Sequence, residues 1–204
     1  MRIKPISLNR FKVRIVGKTP LLMDKMPDET KMSILAKQTG KSMSIKKQRN
    51  IEQETKNAVH ITSTGEIGFP ANGFKAGMIE STSFVGDMYF SKKLIRGIKI
   101  MNTIDGLVPI KYKKQTVLEH TIGANTKYTP QFHEWSCELE ILYDSNNVSA
   151  EDLVTLLNYA GFYYGIGIWS PRCKSGGEFG MYEVEIGKRS DDNRRLSAQR
   201  GVKE

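Results

Sequence analysis

Apolar and polar residues alternate most sharply in two stretches. RFKVRIVG (residues 10–17) puts Phe11, Val13 and Ile15 on one side and Lys12 and Arg14 on the other. That period predicts a half-buried strand with a basic outer face. WSCELEILY (135–143) repeats the pattern: Trp135, Cys137, Leu139, Ile141 and Tyr143 share one face, and Ser136, Glu138 and Glu140 share the other. FGMYEVEI (179–186) predicts a closing strand with Tyr182, Val184 and Ile186 inward. SKKLIRGIKIMN (91–102) reads as a further strand, with Leu94 and Ile98 to Ile100 among basic residues.

Two segments change to a helical period. In GEIGFPANGFKAGMIESTSF (65–84), Pro70 suits a helix start, and Phe74, Met78 and Phe84 supply the apolar spacing. Gly73 and Gly77 each weaken such a helix by about 1 kcal/mol relative to Ala, so close backbone packing or ligand contact is expected there. In DSNNVSAEDLVTLLNYAG, Ser149 fits an N-cap, with Glu151 and Asp152 in the first turn. Leu153, Leu156, Leu157 and Ala160 trace one apolar face, and Gly161 suits the C′ position.

The intervals are less regular. Residues 20–66 lose the two-residue period, and 25–62 is expected to be an inserted, thumb-like basic segment, mobile or partly helical. The stretch from Ile110 to Trp135 reads as extended and loop-rich, with Thr129-Pro130 as a stop. Residues 188–204 form a polar, basic tail expected to fray. Without the insertion the order is β-α-β-β-α-β, so the expected fold is α+β and ferredoxin-like. One domain spans 1–204, with a large insertion after the first strand.

Charge adds a partner class. The chain carries a formal charge of +9, which favours a polyanion, most often nucleic acid. Residues 31–56 hold seven Lys/Arg against two Glu, and residues 92–114 hold seven against one Asp. Cys137 and Cys173 sit in no CxxC or Cys/His frame, so neither a structural zinc nor a disulfide framework is expected. The start MRIKPISLNRF lacks an apolar signal core, and no window approaches a membrane span, so a cytoplasmic location is expected.

Catalytic motifs are sparse. QTGKS (38–42) fails as a phosphate loop, because Leu35 stands where the motif needs glycine. His60, His120 and His133 are scattered outside any metal frame, and neither a GxSxG elbow nor a kinase signature occurs. Asp24 or His133 remain the residues for a nuclease alternative, although a turn or capping role accounts for Asp24 and Asp28. No cofactor or metal is expected.

GIGIWSPRCKSGGEFG (165–180) joins the second helix to the final strand. Its glycines allow consecutive N–H groups to turn toward phosphate, with Arg172 and Lys174 adding charge and Trp169 a stacking ring. A wide hairpin, GIGIW against FGMYEV, explains the same glycines.

These features resemble the RAMP superfamily, the repeat-associated proteins of CRISPR systems. A glycine-rich loop just before the last strand carries the resemblance, together with GFPANGFKAGMIES (68–81), which is similar to the Pro-Gly-Ser-Ser-x-Lys-Gly helix start of effector backbone subunits. Lys75 matches the lysine; Ala76 departs from the pattern, and the glycine follows at position 77. The resemblance covers roughly 10–24, 65–100 and 135–186. FPANGFKAGM and GIGxWxP…GEFGxYEV also resemble small bacteriophage-encoded proteins, which implies a stand-alone relative working in a bacterial cytoplasm.

The resemblance implies a protein that binds single-stranded nucleic acid, RNA before DNA, and oligomerises into a filament along it. Lys18, Lys41, Lys46, Lys47, Arg49, Lys75, Lys92, Lys93, Arg96, Arg172 and Lys174 are the expected phosphate contacts, and Trp169 or a Phe/Tyr neighbour the base contact. RNA-cutting subunits place an aspartate after the first strand region, near Asp24 here, but the flanking residues differ. Processing enzymes use a histidine near the N-terminus, and none precedes His60. An endoribonuclease using Asp24 or His133 is thus the enzymatic alternative, and a phage structural or protein-interaction module the third.

Overall fold

The β1 strand (Leu8–Gly17) runs inside the main sheet, and its alternating residues fit a sheet buried on one face. A computed structural model describes residues 5–40, 50–85, 92–122, 125–174 and 176–185. β1 pairs antiparallel with β8 (Ser136–Asp144) on one side and β9 (Tyr182–Glu185) on the other. β4 (Lys99–Ile100) and β5 (Leu107–Lys111) both pair antiparallel with β8, and β3 (Gly68–Pro70) pairs with β5. The fold is therefore α+β, built on an antiparallel sheet. Val13, Ile15, Cys137, Leu139, Ile141, Tyr182 and Val184 point into the core.

Two helices cover that inner face. α3 (Ala71–Ser81) buries Phe74 and Met78, and α5 (Ala150–Tyr159) buries Leu153, Leu156 and Leu157. At α5 the side chain of Ser149 accepts from the Asp152 N–H, and the Asp152 carboxylate accepts from the Ser149 N–H. This reciprocal cap satisfies two otherwise free donors. α3 packs against α5 and the turn after it. A Cβ on Gly77 would lie 3.1 Å from the Ala160 Cβ, so close helix packing accounts for that glycine.

Three expectations need correction. The 91–102 segment opens as a short helix, α4 (Lys92–Arg96), before β4. Ile95 and Ile98 are both buried, and this three-residue spacing outweighs the two-residue reading. The second correction concerns Thr129-Pro130, which lies inside a strand. β6 (Lys114–Ile122) and β7 (Asn125–His133) form a long hairpin, and β2 (Leu21–Leu22) pairs with β7 to complete a second sheet. The Pro130 carbonyl accepts from Met23 N–H at 3.2 Å. A strand residue's N–H and C=O point the same way, so the missing donor faces the side where β2 has just ended, and no β6 bond is lost.

The third correction is Gly161, which does not end its helix. The chain continues through a π-helical turn, Ala160–Tyr164, and stops at Gly165 with φ 59°. Any Cβ on Gly161 would overlap the Tyr182 carbonyl, so the glycine lets this turn lie on β9.

The inserted segment contributes α1 (Asp28–Gln38), which buries no residue, and α2 (Ile51–Asn57), capped by the Asn50 side chain. Its cluster Lys41, Lys46, Lys47 and Arg49 lies outside the described residues, as does the 188–204 tail.

Candidate nucleic-acid interface

The basic outer face of β1 meets acidic neighbours. The register sets Lys12 opposite Glu140 and Arg14 between Glu138 and Glu185. Arg10 Nη1 lies 2.8 Å and Lys12 Nζ 3.5 Å from Glu140, and Arg14 Nε lies 3.1 Å from Glu185. Lys18 pairs with Glu183. The hydrogen bond from Arg10 holds the Glu140 carboxyl below its ordinary value. Along β1 the open sheet face is thus a ladder of cross-strand ion pairs with its charge locally cancelled, while Lys99 and Lys111 at the far strands form no ion pair among the described residues.

The edge beside the helices differs. α4 packs against α3 and exposes Lys92, Lys93 and Arg96. Lys92 Nζ reaches Glu80 at 3.2 Å, while Lys93 and Arg96 form no ion pair among the described residues. A groove of about 450 Å³ opens at the start of α3, lined by Asn72, Lys75, Lys99, Met101 and Thr103 among others. The first turn of α3 holds no acidic residue, and no side chain caps it. Lys75 and the positive end of the helix therefore act in the same direction, toward an anion.

The glycine-rich segment spends its donors internally. Ile166 N–H bonds to Gly180 O and Phe179 N–H to Trp169 O, which is the hairpin pairing. Ile168 N–H reaches Leu22 O and Gly180 N–H reaches Pro20 O, clasping β2 to the core. Gly180 has φ 66°, and a Cβ there would overlap the Ile166 carbonyl. The clasp accounts for Gly165, Gly167, Gly177 and Gly180, where a Cβ would crowd its backbone or side-chain atoms, while Gly176 turns a local corner at φ 61°. Trp169 is half-buried, edge-on to His120 at 4.4 Å. Arg172 and Lys174 are exposed.

The sequence reading overlooked the rings beside α4. Phe84, at the end of α3, stacks on Tyr163 of the π-helical turn with centroids 4.3 Å apart. Tyr159 lies parallel to Tyr163 within 13°, and Phe162 meets Tyr163 at 85°. The Tyr159/Tyr163 spacing of four residues, inside the run YAGFYYG, was the available signal.

Asp24 and His133 do not come together as a pair. Asp24 pairs with Lys127, and His133 Nε2 lies 2.7 Å from the Thr116 hydroxyl. His120 Nε2 lies 2.9 Å from Thr129 Oγ1. Burial, then the Lys127 ammonium, holds the His120 imidazole below its ordinary value. Burial raises the Cys137 thiol, keeping it protonated. No His, Cys, Asp and Glu cluster able to hold a metal occurs among the described residues.

No protein-family model matches the sequence, and no curated protein matches it. Among solved structures, the chain is similar to Cmr6 from Pyrococcus furiosus at 9% identity and a TM-score of 0.43, covering 89% of this chain and 100% of that one. Among the described residues, no helix is long and apolar enough to cross a membrane.

Proposed function

We propose that this chain binds single-stranded nucleic acid along the edge formed by α4 and the start of α3, as a RAMP-like protein. The observation that carries the reading is the contrast in charge pairing. The β1 cations Arg10, Lys12 and Arg14, with Lys18 just beyond, are matched by glutamates, whereas Lys75, Lys93 and Arg96 have no ion-pair partner among the described residues. Unpaired cations beside an uncapped helix start suit a phosphate backbone. The strand order β9-β1-β8-β4, with α3 and α5 on one face, supports the ferredoxin-like assignment.

RNA is the preferred strand on the resemblance of the α3 start and the glycine-rich loop to RAMP subunits. Successive copies line up along the strand in this reading, with the inserted α1–α2 segment reaching toward the neighbour. Lys92, Arg172 and Lys174 are further phosphate contacts.

Fluorescence polarisation with labelled RNA and DNA of one sequence tests the reading. Affinity is expected to fall with salt at a log–log slope of about −0.7 per phosphate contacted. Light scattering on strands of increasing length is expected to give complexes that grow by whole protomers. Absence of binding to either strand at low salt would overturn the reading.

A further inference from the structure

The exposed rings at the end of α3 are poorly placed for a core role. Phe162 is 61% exposed, Phe84 45% and Tyr163 43%. Core rings of this size are normally removed from water, and a contiguous exposed patch marks a surface that meets something. Three rings lie nearly parallel: Phe84 with Tyr163 at 16°, Tyr159 with Tyr163 at 13°, and Phe84 with Tyr159 at 8°. Phe162 stands across this set as the outermost ring.

The backbone is specialised to make the patch. Phe162, Tyr163 and Tyr164 all belong to the π-helical turn. Such turns are rare and recur at functional sites. Gly161 allows the turn by its close approach to β9. The neighbours choose the occupant. Tyr164 Oη donates to the Glu80 carbonyl at 3.3 Å, and the Glu80 carboxylate holds Lys92 at 3.2 Å. Arg172 N–H donates to the Tyr164 carbonyl at 3.3 Å, and α4, with the unpaired Lys93 and Arg96, packs on α3. Exposed flat rings with cations on neighbouring elements match a ligand that alternates flat apolar groups with negative charges, as a single strand alternates bases and phosphates.

We infer that Phe84, Phe162 and Tyr163 form a base-stacking platform for single-stranded nucleic acid, with the unpaired Lys93, Arg96 and Arg172 available to the phosphates. The inference rests on the binding function proposed above and extends the bound strand beyond α4. Stacking is tolerant of base identity, so the platform takes any single strand whose bases are free.

Paired strands test it: a labelled 12-nucleotide oligomer, and a matching oligomer whose central nucleotides are abasic. Phe162→Ala is expected to weaken the intact strand about tenfold and leave the abasic one unchanged. Phe162→Trp is expected to bind the intact strand at least as tightly as the wild type. Phe162 is peripheral, so the fold should tolerate both changes, and circular dichroism checks this. Phe84→Leu supplies a second variant that keeps apolar bulk and loses the ring; it should weaken only the intact strand.

Equal binding of the intact strand by wild type and both ring-removal variants would overturn the platform and leave the proposed function standing. Equal weakening on both strands would also overturn it. A wild type that binds neither strand would overturn the function and the platform together. A fall in molar mass of Phe162→Ala without nucleic acid would assign the patch to contact between copies of the chain, against the inference.

Discussion

The outer sheet face and the α4 edge carry cations of the same kind, yet they offer different surfaces to a polyanion. Arg10, Lys12 and Arg14 stand across from Glu138, Glu140 and Glu185, so each positive group already has a carboxylate within reach. Lys93 and Arg96 project from a short helix whose neighbour α3 supplies Glu80, and Glu80 is engaged with Lys92. An approaching phosphate must displace a carboxylate on the first surface but only counterions on the second. In the proposed reading, pairing rather than net charge singles out the α4 edge.

The largest expected effect comes from reversing the free charges. Lys75→Glu/Lys93→Glu/Arg96→Glu is expected to weaken single-strand binding at least about 100-fold at low salt, and to reduce the salt slope by about 2. Polarisation titrations at several salt concentrations measure both. Lys12→Ala/Arg14→Ala, of similar chemistry on the sheet face, is expected to change affinity less than about twofold, since exposed pairs contribute little. Equal losses in the two sets would break the comparison.

The opposite manipulation sharpens it. Glu138→Gln/Glu140→Gln/Glu185→Gln frees Arg10, Lys12 and Arg14 and is expected to raise affinity several-fold, with a steeper salt slope. Fold integrity offers a separate check. Gly161→Ala is expected to destabilise the protein by about 3 kcal/mol, because the added methyl overlaps the Tyr182 carbonyl. Urea unfolding reads this, and the variant should also lose binding through its displaced rings.

The smallest effect is with pH. Burial first, then nearby lysines, holds His60 and His120 below the ordinary value of 6.5. The unfolded chain therefore binds more protons in acid. The contribution to stability is complete above about pH 6.5 and is lost as pH falls through the folded values. Thermal midpoints should fall modestly between pH 7 and 5, and His120→Gln should flatten that decline.

Sequence patterning revealed the elements whose apolar faces were long and regular. β1 and β8 alternate over most of their length, and α5 announces itself through Ser149, Asp152 and the Leu153/Leu156/Leu157 face. α4 was missed because five residues are too few to establish a helical period, and Leu94, Ile98 and Ile100 keep a two-residue spacing. The β6–β7 hairpin was missed because polar side chains such as Thr116, His120 and Thr129 occupy its partly buried positions, so no hydrophobic alternation marks it.

The candidate interface was legible only in part. Lys75, Lys93 and Arg96 stood out as basic residues, but so did Lys18, whose pairing with Glu183 depends on a contact far along the chain. Phe84 and Tyr163 lie far apart in the sequence and meet only in the fold, so no local motif links them. The glycine-rich segment left a phosphate cradle and a wide hairpin equally open. Its composition suits a phosphate cradle, yet its donors are directed at Pro20, Leu22 and its own carbonyls.

Photocrosslinking tests the central claim most directly. A single strand carrying 4-thiouridine at every fourth position would be bound, irradiated and digested, and the crosslinked peptides mapped. The account predicts adducts on the peptides containing Phe84, Lys92 to Arg96 and Phe162 to Tyr164, with β1, β8 and β9 unmodified. Adducts concentrated on residues 8–16 and 136–144 would put the strand on the ion-paired sheet face and contradict the account.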